Sequence, residues 1–239
     1  MIRGWYIGAS GMNAQQNRLD TISNNLANVD TTGFKKEIPV SKEFSELLLR
    51  RVQADGQYSN SQGSFKNTDT KTDFALGGEG FFAVQTPAGE RYTRNGNFHL
   101  GKEGILLTKE GYPVLGENGA IHVPDDKFYV NQDGMIYTKD DSTLVDRVKV
   151  VRFENERYLK KQGSSLWNTT KFSGEPHIAE GDERPKLLQG YTETSNVNVV
   201  NEMVQMIEVN RAYEANQKSV QTEDNMMETL WSKVVTVNR

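Results

Sequence analysis

The chain contains no cysteine. That absence excludes thiol nucleophiles, disulfides and cysteine-based metal sites, and it leaves the redox compartment open. No run of about 18 apolar residues occurs, so no membrane-spanning helix is expected. The first residues, Met1-Ile2-Arg3-Gly4-Trp5-Tyr6-Ile7-Gly8-Ala9-Ser10, lack an apolar core ahead of their glycines and polar neighbours. A cleaved secretory signal is therefore not expected. Excess basic charge is missing too. The 28 Lys and Arg against 32 Asp and Glu give a net charge of −4, whereas a nucleic-acid footprint needs the opposite sign. The doublets Lys35-Lys36, Arg50-Arg51 and Lys160-Lys161 are scattered among acids and read as solvated surface. Apolar content is 36% and mean hydropathy −0.67, thin for a self-contained globule of 239 residues. The shortfall points to segments that complete their burial against other chains.

Catalytic constellations are equally scarce. His99, His122 and His177 stand singly, without a histidine or carboxylate at metal-ligand spacing, so no metal site is expected. The stretch Gly96–Lys102 superficially resembles a phosphate loop. Glu103 stands where Ser or Thr is needed, and a carboxylate there would repel phosphate. Asp125-Asp126, Asp140-Asp141 and Asp182-Glu183 fall in expected turns, a poor arrangement for paired acid chemistry across a cleft. No catalytic, cofactor or small-molecule site follows from these patterns.

What is present is heptad periodicity at both ends. Residues 4 to 29 read as a helix in which Trp5, Met12, Leu19 and Leu26 recur every seven positions. Ile22 and Val29 follow three residues after the last two, the seam pattern of a coiled coil. Arg18 and Asp20 are the only charges in that stretch, and amides such as Asn13, Gln15, Gln16 and Asn17 fill the other face. A helix facing bulk water normally carries mixed charges, so this one is expected to be surrounded by other chains. Gly33 is expected to stop it. From Asn198 onward the pattern is helical again, with Asn198 as cap and Glu202 in the first turns. Val199, Met206, Tyr213, Val220, Met227 and Val234 form an unbroken row. Val209, Leu230 and Val237 belong to a second row, broken by Asn216 and Glu223. Roughly 37 residues would extend about 55 Å. Val200, Met203, Val204 and Ile207 are apolar off the seam, so one partner helix cannot cover the first turns.

Between the helices lies β-structure. Residues 34–73 are polar, with a short amphipathic piece at Phe44–Leu49 and an extended connector from Ala54 to Thr72. Short aromatic and β-branched runs then alternate with turn pairs. Gly77, Gly78 and Gly80 lead into a buried strand at Phe81-Phe82-Ala83-Val84. Asn95-Gly96 and Asp133-Gly134 read as two-residue hairpin turns needing positive φ. The first would join Arg91–Thr93 to Asn97–Leu100, the second Phe128–Val130 to Met135–Thr138. The expected fold is α+β, with N- and C-terminal helices paired as a coiled-coil-like unit around a central all-β domain. Its segments are an N-terminal helix (1–33), connector (34–73), β domain (74–190) and C-terminal helix (191–239). Terminal helices packed on the chain's own sheet are the other reading, and the heptads favour helices that pair and polymerise. The expected assembly interface is Trp5, Met12, Leu19, Ile22, Leu26 and Val29 with Val199, Met206, Tyr213, Val220, Met227, Leu230 and Val234.

Three motifs carry a resemblance. Ser23-Asn24-Asn25-Leu26-Ala27-Asn28-Val29-Asp30-Thr31-Thr32-Gly33-Phe34 is similar to the N-terminal signature of flagellar rod, hook and hook-associated proteins. Gly78-Glu79-Gly80-Phe81-Phe82-Ala83-Val84 with Tyr92-Thr93-Arg94-Asn95-Gly96-Asn97-Phe98 resembles the β-core motif of the rod and hook subset. Ser195-Asn196-Val197-Asn198, continuing through Arg211-Ala212-Tyr213-Glu214, resembles that family's C-terminal signature. The chain thus resembles the flagellar basal-body rod proteins, most closely a proximal-rod member, because the segment from Phe34 to Asp73 is short. The resemblance implies a structural subunit of the torque-transmitting shaft, exported unfolded by the flagellar type III apparatus and lodged in the cell envelope. Its implied partners are further copies of itself, other rod subunits and the export apparatus, with no nucleic acid, cofactor or small-molecule substrate. A peptidoglycan-acting enzyme and a non-flagellar coiled-coil surface protein are the competing classes. The first would need a carboxylate pair in a cleft and the second a signal peptide.

Overall fold

The structure, a computed structural model, describes residues 2–39, 57–123, 128–138, 143–163 and 165–237. The piece expected at Phe44–Leu49 and the pairs Asp125-Asp126 and Asp140-Asp141 lie outside them. The chain divides into two units. One holds helix α1 (Ile2–Ala27) and helix α2 (Val199–Val237). The other, β-rich, is built from residues 28–38 and 57–197. The fold is α+β, with a helix at each end of a β-rich segment.

α1 carries no acid in its first turn and no base in its last, so its macrodipole is uncompensated and packing must hold it. α2 is better begun. Asn198 Oδ1 accepts a hydrogen bond from the Asn201 amide at 3.0 Å, satisfying one of the free first-turn donors. Glu202 adds a negative charge in the same turn. α1 ends at Ala27, six residues before Gly33. Gly33 is therefore not the helix stop. Its φ is +67°, and a Cβ there would lie 2.6 Å from the Arg94 carbonyl carbon and the Asn95 nitrogen. The glycine lets the chain pass against the Arg94–Asn95 backbone.

The centre of the β-rich unit is a six-stranded antiparallel sheet. Its order is Lys160–Lys161, Leu166–Asn168, Gly89–Thr93, Phe81–Thr86, Val150–Arg152, His177–Ile178. The Phe81–Thr86 strand is buried on both faces, which explains its unbroken apolar run. Phe81 and Ala83 join Tyr92, Val151, Phe153 and Trp167 on one side. Phe82 and Val84 join Phe74, Phe98, Leu106 and Ile136 on the other. The segment expected as a connector contributes three short strands where it is described. Gln57–Tyr58 pairs with Glu37–Ile38, and Phe65–Asn67 pairs with Tyr191–Glu193.

The hairpin at Asp133-Gly134 forms, with Val130 opposite Ile136. Its loop is longer than two residues. The Gly134 amide donates to Asn131 O at 3.0 Å and the Asn131 amide to Met135 O at 3.0 Å, with Gly134 at φ +76°. That is a turn closed by a glycine bulge. Asn95-Gly96 is not a hairpin turn. Gly89–Thr93 pairs with Phe81–Thr86, whereas Phe98–Leu100 pairs with Leu106–Thr108, so the dipeptide carries the chain between sheets. Gly96 is not among the positive-φ glycines. What requires glycine is proximity, because a Cβ there would stand 1.6 Å from the Phe74 carbonyl oxygen. The Phe74 amide also donates to Gly96 O at 2.9 Å.

Gly96→Ala is therefore expected to lower unfolding free energy by about 2–4 kcal/mol, since two backbones must part. Urea denaturation of the full chain measures this. A loss below about 0.5 kcal/mol would show that the strands separate freely at this point.

Candidate assembly interface

α1 and α2 pair antiparallel. Trp5 Nε1 donates to Asp224 Oδ1 at 2.9 Å, and Asn25 Nδ2 donates to Glu202 Oε2 at 3.3 Å. Between these ends, a Cβ on Gly8 would lie 2.6 Å from Val220 Cγ2, and one on Gly11 would lie 2.9 Å from Asn216 Nδ2. The two glycines thus let the α1 backbone approach α2 closely.

The expected interface residues occupy different environments. Ile22 is buried (1% exposed), and Met12, Leu19 and Leu26 are half-buried. Met206, Tyr213 and Val220 are half-buried on α2. Trp5 is 52% exposed, and Val199, Met227 and Leu230 are also exposed. Val29 is half-buried but belongs to the β-rich unit. Val234 lies in α2, and its side chain is outside the description. The second α2 row is covered from Glu202 to Glu223, and here the sequence reading missed residues that matter. Glu202 and Val209 are buried, and Asn216 and Glu223 are half-buried. The residues that break the apolar row are thus covered ones, and their heptad spacing was the available signal. Gln15 Oε1 is buried with no partner among the described residues.

A second apolar face remains bare. Val200 (68% exposed), Met203, Val204 and Ile207 are all exposed. Their i, i+3, i+4, i+7 spacing puts them on one stripe. At 100° per residue, that stripe lies across the helix from Glu202 and Val209.

Within the β-rich unit, Lys35, just after the first motif, and Arg94 of the second converge on the carboxylate of Glu193, just before the third. Glu193, 2% exposed, accepts from Lys35 Nζ at 2.8 Å, Arg94 Nε at 2.6 Å and the Gly63 amide at 3.0 Å. Arg94 also donates to the carbonyls of Gly78, Gly80 and Leu76, and Lys35 to Ser61 O at 2.9 Å. The Glu193 carbonyl accepts from the Gly33 amide at 2.8 Å. Asn196 supplies a second tie, accepting from the Lys36 amide at 2.6 Å and donating to Ser59 O and Ser61 O. Burial pushes the Glu193 carboxyl up, but Arg94 and Lys35 outweigh it and hold the group below the ordinary carboxylate value. Burial holds the Lys35 ammonium below its usual range despite Glu193. Sequence reading missed this cluster, because partners 158 residues apart share no periodicity.

His99, His122 and His177 are all exposed. Among the described residues, no group of three or more His, Asp or Glu is placed to hold a metal.

Known proteins resemble the chain along nearly its whole length. Residues 6–35 match the family model described as flagella basal body rod protein. Residues 75–138 match the flagellar hook protein FlgE/F/G D1 domain. Residues 188–232 match the flagellar basal body rod FlgEFG protein C-terminal model. Flagellar basal-body rod protein FlgG of Buchnera aphidicola subsp. Schizaphis graminum is 36% identical, over 96% of this chain and 99% of the relative. That alignment spans 263 positions, more than the 239 residues here, so the relative carries residues without counterpart in this chain. FlgG of Bacillus subtilis is 33% identical over 96% of this chain and 98% of its own length. FlgF of Caulobacter vibrioides is 33% identical over 88% of this chain and 89% of its own.

Glu193→Gln is expected to cost about 3–5 kcal/mol at neutral pH, because two buried cations lose their counter-charge. Glu193 ionises more readily folded than unfolded. Its contribution is therefore complete above the ordinary value of 4.5 and disappears as pH falls through the lowered folded value. Urea unfolding of parent and variant at pH 7, 4 and 3 should show their difference shrinking toward acid. A gap that stays constant across that range would mean the charge on Glu193 is not what holds the cluster.

Proposed function

The chain belongs to the flagellar basal-body rod protein family, and we propose that it polymerises through its two terminal helices to build the proximal part of the rod. It is a structural subunit of the flagellar basal body. Rod subunits assemble with other rod subunits, and the helical unit is the part of this chain suited to that task. The observation that carries the reading is the bare apolar stripe Val200, Met203, Val204 and Ile207 on a helix whose other face already meets α1. Contiguous exposed apolar surface of this kind marks an interaction site.

In this reading the α1–α2 pair is a coiled-coil-like hairpin with Met12, Leu19, Ile22 and Leu26 against Met206, Tyr213 and Val220. Trp5, Val199, Met227, Leu230 and Val234 complete their burial against neighbouring subunits. Subunits reach the growing end through the flagellar type III apparatus, and the assembled shaft passes torque mechanically across the envelope. Placement in the proximal rod, like FlgF, rests on the short stretch between Phe34 and Asp73. A distal-rod or hook subunit of the same family is the alternative.

Val220→Asp tests the seam. Val220 sits against Gly8, where a carboxylate would have no partner, and undocking is the cheapest escape. The variant is expected to keep the melting transition of the β-rich unit while its incorporation into isolated basal bodies falls at least tenfold and motility is lost. Complementation of a deletion strain measures both. Normal swimming with normal incorporation would remove residue 220 from the seam.

A further inference from the structure

The β-rich unit contains a cavity of about 250 Å³ that the assembly reading does not use. Tyr58, Phe81 and Trp167 contribute to its walls, together with Lys35, Arg94, Glu79 and Glu156. The Tyr58 and Trp167 rings meet edge to face at 4.5 Å, and Phe81 and Trp167 at 6.2 Å. This volume far exceeds that of a single bridging water, whose share of the liquid is about 30 Å³.

The hydrogen-bonding capacity of the polar groups decides what the cavity can receive. Lys35 Nζ is committed to Glu193 and Ser61 O. Arg94 directs its nitrogens to Glu193 and to the carbonyls of Gly78, Gly80 and Leu76. Glu79 is ion-paired with Arg152. Glu156 differs, for its Oε1 is buried and has no partner among the described residues. An acceptor shielded from water with no donor is costly, and a carboxylate more so. Within the cavity's own lining the cations therefore have little left to offer an anion, and the open position is an acceptor. Arg152 Nε, also buried with no partner among the described residues, lies outside that lining. Aromatic faces beside an open carboxylate attract organic cations through both the ring quadrupole and charge-assisted hydrogen bonding.

We propose that this cavity is a receptor for a lysine or arginine side chain presented by another polypeptide, with Glu156 as its counter-ion and Tyr58, Phe81 and Trp167 as its aromatic wall. Electrostatics agree with an unfilled position. The Glu156 carboxyl is pushed up by burial and by Glu79, against the pull of Arg94, Arg152 and Lys35. Three cations at a distance do not replace one in direct contact. Bound cation would favour the ionised acid, so affinity should fall as pH drops through the raised value. The inference draws only on the β-rich unit and stands independently of how the helices assemble.

The test is a titration of the ¹⁵N-labelled full chain, following the Trp167 indole resonance. The probes are N-acetyl-arginine methylamide, its lysine counterpart, and the neutral norleucine and glutamine counterparts. Saturable shifts with the two cationic probes only, weakened at least tenfold by Glu156→Gln and by acidification, are the expected result. Glu156→Gln should also hold or raise the melting temperature, because it removes a buried unpartnered charge. Equal shifts from the neutral probes, no saturable shift at all, an unaltered affinity in Glu156→Gln, or a variant that fails to fold would each overturn the proposal.

Discussion

The carboxylate of Glu193, held between Lys35 and Arg94, is the constraint on which the rest of the architecture depends. Lys35 follows α1 by a few residues, and Glu193 precedes α2 by a few. Arg94 lies just beyond a strand of the central sheet. One buried cluster thus ties the segment after α1 and the segment before α2 to the central sheet within the β-rich unit. Buried ion clusters are weak sources of net stability, because desolvation offsets most of the attraction. Their effect here is geometric. Its charges come from segments far apart in sequence, so pairing them sets how the residues around Gly33, Lys35 and Glu193 pass one another within that unit.

The helical unit works by the opposite logic. Its covered face mixes apolar residues with Gln15, Asn25, Glu202, Asn216 and Glu223, while strongly apolar residues such as Val200 and Ile207 are exposed. Burying polar groups at seam positions sacrifices stability for register, since each misplaced polar group would lose its partner. The Asn25–Glu202 hydrogen bond is the clearest instance, near the C-terminal end of α1. Strongly apolar surface of the pair is thus left exposed while polar groups occupy its covered face.

Local and periodic features were legible in the sequence, and long-range coincidences were not. Both helices, the Asn198 cap, the Phe81–Thr86 strand and the Asp133-Gly134 hairpin each have signals confined to a few neighbouring residues. Asn95-Gly96 carried the same hairpin signal and misled. Its glycine is set by the approach of Phe74, more than twenty residues earlier, and nothing in the dipeptide distinguishes the two causes. Gly33 misled in the same way, reading as a helix stop when its neighbour is the Arg94–Asn95 backbone. At the candidate interface, heptads located the rows but could not say that Asn216 and Glu223 remain covered. Periodicity reports spacing, and hydrophobicity is only a proxy for which face is buried.

The Glu193 cluster also explains why the β-core motif has the composition it has. Gly78 and Gly80 hold φ at +154° and +134°, conformations that side chains disfavour, and through them the Gly78 and Gly80 carbonyls are turned onto the Arg94 guanidinium. An arginine that donates to Glu193 and to three carbonyls in this way is satisfied within its own unit. Lysine could not replace it, because a single ammonium lacks the planar fork that reaches a carboxylate and the glycine turn together. The motif's glycines, its arginine and the distant glutamate are therefore one physical requirement. Glu156, beside the same turn but outside that donor set, is left with capacity for something else.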